Sequence, residues 1–102
     1  MARETQPAPP HPDLASLSGA LRELIKCADL TQGEVADHAD GLDAKQVNSY
    51  VCGRVNPGYF NLRRLCRGIG IKPVALMAAI EAIEEGEDGG RAVADRVGEI
   101  LR

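Results

Sequence analysis

Residues 31–53, TQGEVADHADGLDAKQVNSYVCG, decide the reading of this chain, because they spell two short helices joined by a tight turn. Thr31 is a helix-start residue, and Glu34 three positions later completes a capping box in which each side chain bonds the other's backbone N–H. Val35, Ala36 and Ala39 follow at helical spacing before Asp40-Gly41 stops the helix. Leu42 then returns to the core and Asp43 caps a second helix. Val47, Tyr50 and Val51 form that helix's apolar side. The small Ala36 suits a point where two helices cross near a right angle, with Leu42, Val47 and Tyr50 packed around it. Gly53 is expected in the left-handed conformation that ends the second helix, since a residue without Cβ adopts positive φ cheaply.

The residues Leu30-Thr31-Gln32, Glu34-Val35-Ala36, Leu42, Val47, Tyr50, Gly53 and Asn56-Pro57 resemble the Cro/XRE-type helix-turn-helix family of phage and bacterial repressors. Leu62, Leu65, Ile69-Gly70-Ile71 and Leu76 continue the family's hydrophobic rhythm, so the resemblance covers residues 16–80. The turn at Asp40-Gly41 departs from the family by being a residue longer than its commonest form, which bears on the angle of the second helix. The resemblance implies an all-α, five-helix, repressor-like helix-turn-helix domain.

Outside the motif, residues 1–12 hold four of the six prolines and read as an extended, disordered arm. A first helix is expected from Asp13 to Ala28, with Leu14, Leu17, Leu21, Leu24, Ile25 and Ala28 as its apolar stripe and Arg22, Glu23 and Lys26 in water. Gly19 should cost it ~1 kcal/mol relative to Ala. Asn56-Pro57-Gly58 is a turn signal, and a fourth helix is expected over Tyr59 to Arg67, ended by Gly68 and Gly70. Leu62, Leu65 and Ile69 should face inward. Lys72-Pro73 opens a fifth helix, with Leu76, Met77, Ile80 and Ile83 as its stripe. The domain is therefore set at residues 13–85. Residues 86–90 read as an acidic linker, and residues 91–102 as an additional C-terminal helix.

The chain has 102 residues, enough for one small domain, and its 44% hydrophobic content includes only Tyr50, Tyr59 and Phe60 as aromatics. A core of Leu, Ile, Val and Ala follows. The opening MARETQPAPP lacks the apolar run of a signal peptide and no stretch is apolar enough to span a bilayer, so a cytoplasmic location is expected. The net charge of −3 is unevenly spread. Residues 14–79 carry eight Lys/Arg against six Asp/Glu, whereas residues 80–102 carry three against seven. A mildly basic domain with an acidic tail is compatible with DNA, but predicts weak non-specific affinity. Cys27, Cys52 and Cys66 show no C-x-x-C spacing, and His11 and His38 are isolated, so no metal site or cofactor is expected. The cysteines read as three reduced, partly buried thiols, although Cys52 and Cys66 flank one loop and remain candidates for a redox pair. Asp37, His38 and Asp40 read as solvated polar residues at a helix end. No phosphate loop or nucleophile–base arrangement stands out, which argues against an enzyme.

The major groove of double-stranded DNA admits one α-helix, whose leading end reaches the base edges. On the second motif helix those positions are Ala44, Lys45, Gln46, Asn48 and Ser49. Lys45 is suited to guanine O6 or N7, Gln46 to adenine, and Ala44 to a thymine methyl. The family resemblance implies phosphate contacts from Gln32, Arg54, Asn56 and Asn61, extended by Arg63 and Arg64. The expected function is a sequence-specific DNA-binding transcriptional regulator, repressor-like and homodimeric. The competing expectation is a helix-turn-helix scaffold that binds mainly another protein, as an antitoxin-like or adaptor module. Val93, Val97, Ile100 and Leu101 fall on one side of the last helix and are candidates for joining two protomers. Folding back onto the chain's own core would bury the same side.

Overall fold

The computed structural model of the chain describes residues 12–86, in which five helices and no strand form. They are α1 (Pro12–Cys27), α2 (Gln32–His38), α3 (Ala44–Val51), α4 (Gly58–Ile69) and α5 (Pro73–Glu84). The expected arm, apart from Pro12, lies outside the described residues, as do residues 87–90 of the expected linker and the whole of the expected helix at 91–102. Among the described residues no helix is long and apolar enough to cross a membrane.

Local chemistry sets most boundaries. The Thr31 hydroxyl accepts from the Glu34 N–H at 3.1 Å while Glu34 Oε1 accepts from the Thr31 N–H at 2.9 Å, which completes the expected capping box. Asp43 and Gln46 repeat the arrangement at the start of α3, at 2.8 and 3.0 Å. The sequence predicts the Asp43 cap; the reciprocal bond from the Asp43 N–H to Gln46 Oε1 is what the structure adds. At the other end of α3, Gly53 has φ +73°, and its N–H and that of Arg54 bond back to the carbonyls of Tyr50 and Ser49. Those two bonds satisfy carbonyls that the helix itself leaves without partners.

Packing sorts the helices into one core. α1 lies chiefly against α5, and α2 against both α3 and α4, while α1 also meets α3. Leu21, Leu65, Leu76, Val35 and Val47 are the largest side chains with almost no exposure. Burying each such group stabilises the fold by ~1.5–3 kcal/mol. The result is a compact all-α globule.

Several details differ from the sequence reading, and close helix approach explains them. On α5 the buried residues are Ala75, Leu76, Ala78, Ala79 and Ala82; Ile80 and Ile83 are half-buried and pack against the core as expected, whereas Met77 is exposed. Small side chains let α5 come close to α1. Gly19 belongs to the same contact, because a Cβ there would stand 3.3 Å from Ile83 Cδ1. Its missing side chain makes room, beyond its conformational cost. On α1, Ala20 occupies the core while Ala28 lies past the helix end and is exposed. α4 runs through Gly68 to Ile69, so Gly68 does not end it; Gly70, at φ +88°, does.

The cysteines also divide more sharply than expected. Cys27 and Cys52 are exposed, Cys66 is buried, and all three thiols are free, with Cys52 bonded to Asn48 and not to Cys66. Burial pushes the Cys66 thiol up from its ordinary range, against the opposing pull of Arg63. Less thiolate and less access act together. Iodoacetamide should therefore modify Cys27 and Cys52 at least ~tenfold faster than Cys66 in the native protein. Mass spectrometry of the peptides would read this, and equal rates at all three sites would contradict the packing of α4.

Candidate nucleic-acid interface

The first turn of α3 projects from the globule. Ala44, Lys45 and Gln46 are exposed there, while Val47, Tyr50 and Val51 on the opposite side are buried. The amphipathic spacing of AKQVNSYV produces this division, with the polar residues leading. Lys45 has no hydrogen-bond or ion-pair partner among the described residues, so its ammonium is available. Gln46 is partly engaged: its Oε1 accepts from the Asp43 N–H, and its amide NH2 remains to donate. Ser49 is half-buried.

Asn48 occupies a different kind of place. Its Nδ2 donates to Gln32 Oε1 at 2.9 Å, a half-buried bond that ties the start of α2 to the middle of α3. Gln32 and Asn48, one expected at phosphate and the other at bases, thus hold each other and set how the two helices meet. Beside Gln32 an open cleft of about 520 Å³ between α1 and α2 carries Arg22 and Lys26 on its walls.

The far end of α3 is held from two sides. Arg22 of α1 is exposed, as the sequence predicts, and also donates to the Val51 carbonyl at 3.0 Å. A cation at a helix C-terminus is favourable both as a donor and against the helix dipole. Asn61 donates to the Tyr50 hydroxyl at 3.0 Å and accepts from Arg64 at 2.8 Å. Arg64 in turn lies against the α2–α3 turn, where a Cβ on Gly41 would stand 3.3 Å from its Nε. The chain Arg64–Asn61–Tyr50 therefore braces the turn, α3 and α4 together. Nothing local in the sequence signals Arg22 or Arg64 in these roles.

The remaining expected phosphate contacts lie in the α3–α4 loop, at Arg54 and Asn56, and on α4, at Arg63. Arg54 is exposed and has no side-chain partner among the described residues. Asn56 Oδ1 accepts from the Gly58 N–H at 3.0 Å, an Asx-type turn that leads into α4 at φ +75°. Arg63 donates to the Tyr59 hydroxyl at 2.9 Å and sits 5.8 Å from the same ring's centroid. Next to it Phe60 is 75% exposed, and Val55 and Tyr59 are also open. Tyr59 and Phe60 meet edge to face with ring centroids 5.4 Å apart, and the one clue to it in the sequence is that Phe60 stands off the Leu62, Leu65, Cys66, Ile69 spacing. Among the described residues no cluster of His, Cys, Asp and Glu is placed to hold a metal. No protein-family model, curated protein or solved structure matches the chain, so the family resemblance stands on the residues quoted above.

Proposed function

We propose that this protein is a sequence-specific double-stranded DNA-binding regulator, a repressor-like helix-turn-helix domain that lays α3 in the major groove. One observation carries the reading: the leading turn of α3 is exposed and polar, while its other side and both its ends are held by buried or bonded groups. A reading helix must be presented rigidly, because base-edge hydrogen bonds tolerate little displacement. Lys45, Gln46 and Ala44 would face bases, with Ser49 beside them. Gln32 and Asn48 act chiefly by fixing α2 against α3. Arg54 and Arg63, with Asn56, lie where the sugar-phosphate chain would pass. A single helix reads few base pairs, so two copies are proposed on a two-fold site with half-sites about 10–10.5 base pairs apart or a multiple of that.

Selection of bound fragments from a random duplex library tests this directly. An enriched motif is the expected result, and recovery without enrichment would overturn the reading. Arg54 supplies a finer check. As a loop cation it should contact phosphate, so Arg54→Ala should weaken binding to all sequences alike and lower the log–log salt slope by roughly one. An effect confined to one base-pair position would contradict that role.

A protein-binding scaffold is the second reading, and the exposed Tyr59–Phe60 ring pair beside Arg63 is the observation in its favour. Exposed aromatic groups beside an arginine are common anchors of protein interfaces.

A further inference from the structure

A groove of about 800 Å³ opens between the start of α1, the α3–α4 loop at Asn56, α4 and α5. Its floor is Leu14, Leu17, Leu62, Met77 and Ile80, and Glu81 and Glu84 stand at its edge. Met77 is 53% exposed there, an open position for a large apolar side chain. We infer that this groove is the docking site of the chain's own residues 91–102, which lie against it in cis with Val93, Val97, Ile100 and Leu101 facing inward.

Chain connection, length and charge all favour this occupant. α5 ends at Glu84, itself a groove residue, and Gly86 follows with φ +73°. Residues 87–90 then separate the groove from the segment, a connection of the length that joins antiparallel neighbouring helices. As a helix, RAVADRVGEILR would be ~18 Å long and would place its four large apolar residues on one side. A helix so short is marginal in water and needs an apolar surface to form on. Arg96 falls at the margin of that apolar side, where Glu81 and Glu84 offer opposite charge. Over so short a tether the effective concentration is of order mM, so the chain's own segment outcompetes a second copy at ordinary protein concentrations. The inference does not rest on DNA binding: its test reads contacts and amide protection within the chain, and Asn56 is the one groove residue shared with the proposed phosphate contacts.

Nuclear magnetic resonance on the full chain tests it. Nuclear Overhauser effects should join the methyl groups of Val97 and Ile100 to those of Leu17 and Ile80. They should survive dilution of labelled chain into excess unlabelled chain. Amides in 94–101 should exchange at least ~tenfold more slowly than in an unfolded chain. Val97→Asp should abolish that protection while α1–α5 keep theirs. Unprotected amides in the unsubstituted chain would overturn the inference, and so would contacts seen only between labelled and unlabelled copies, which would mean that the segment is exchanged between protomers.

Discussion

Gly68→Ala is expected to destabilise the protein by about 3 kcal/mol, a large share of what a domain of this size possesses. Gly68 sits inside α4 and is buried where that helix crosses α2. A Cβ there would collide with the Val35 carbonyl oxygen and stand 2.9 Å from both Ala39 Cβ and Val35 Cγ1. The first obstacle is backbone, so no rotamer change relieves it and α2 must move. Because α2 carries Gln32, which holds Asn48, the displacement should also misplace α3 and weaken the proposed DNA binding in the molecules that still fold. Urea denaturation reads the stability. Gly70→Ala is the comparison: nothing lies within 4 Å of its Cβ, and its cost of about 1 kcal/mol comes from positive φ alone. If Gly68→Ala stayed within ~0.5 kcal/mol of the parent protein, the α2–α4 crossing described above would be wrong.

Lys45→Ala is expected to lower affinity for the selected DNA site by about fivefold to 150-fold, corresponding to ~1–3 kcal/mol, while leaving the unfolding transition unchanged. The separation is possible because Lys45 is exposed and bonded to no described side chain. The loss should be concentrated at one base-pair position, with discrimination relaxed there. A uniform loss across all sequences would reassign Lys45 to phosphate. Gln46→Ala should behave differently, because the same substitution removes the bond from the Asp43 N–H and opens the capping box. It should therefore reduce stability by roughly 0.5–1 kcal/mol in addition to its effect on DNA. Gln46→Glu retains an acceptor for the cap, so it should restore stability without restoring binding to adenine. Binding isotherms paired with melting curves distinguish these cases.

What the sequence by itself determined was local. Thr31 with Glu34, Asp43 with its helix, and the glycines at 53 and 70 act over a few residues, and each boundary they imply is present in the structure. The exposed start of α3 was legible for the same reason: AKQVNSYV carries its polar and apolar positions at helical spacing. Tertiary structure alone decided the rest. PVALMAAI is apolar nearly all round, so periodicity could not say which side of α5 is buried; Ala75, Leu76, Ala78 and Ala79 are, while Val74 and Met77 stay exposed. Gly68 looked like a helix stop because a glycine's local preferences hide a demand made by Val35 on another helix. Arg22 finds Val51 across 29 positions, and Gln32 finds Asn48 across 16. Such pairs have no sequence signal, since a hydrogen bond between helices depends on where packing sets their axes, and the packing is a property of the whole core.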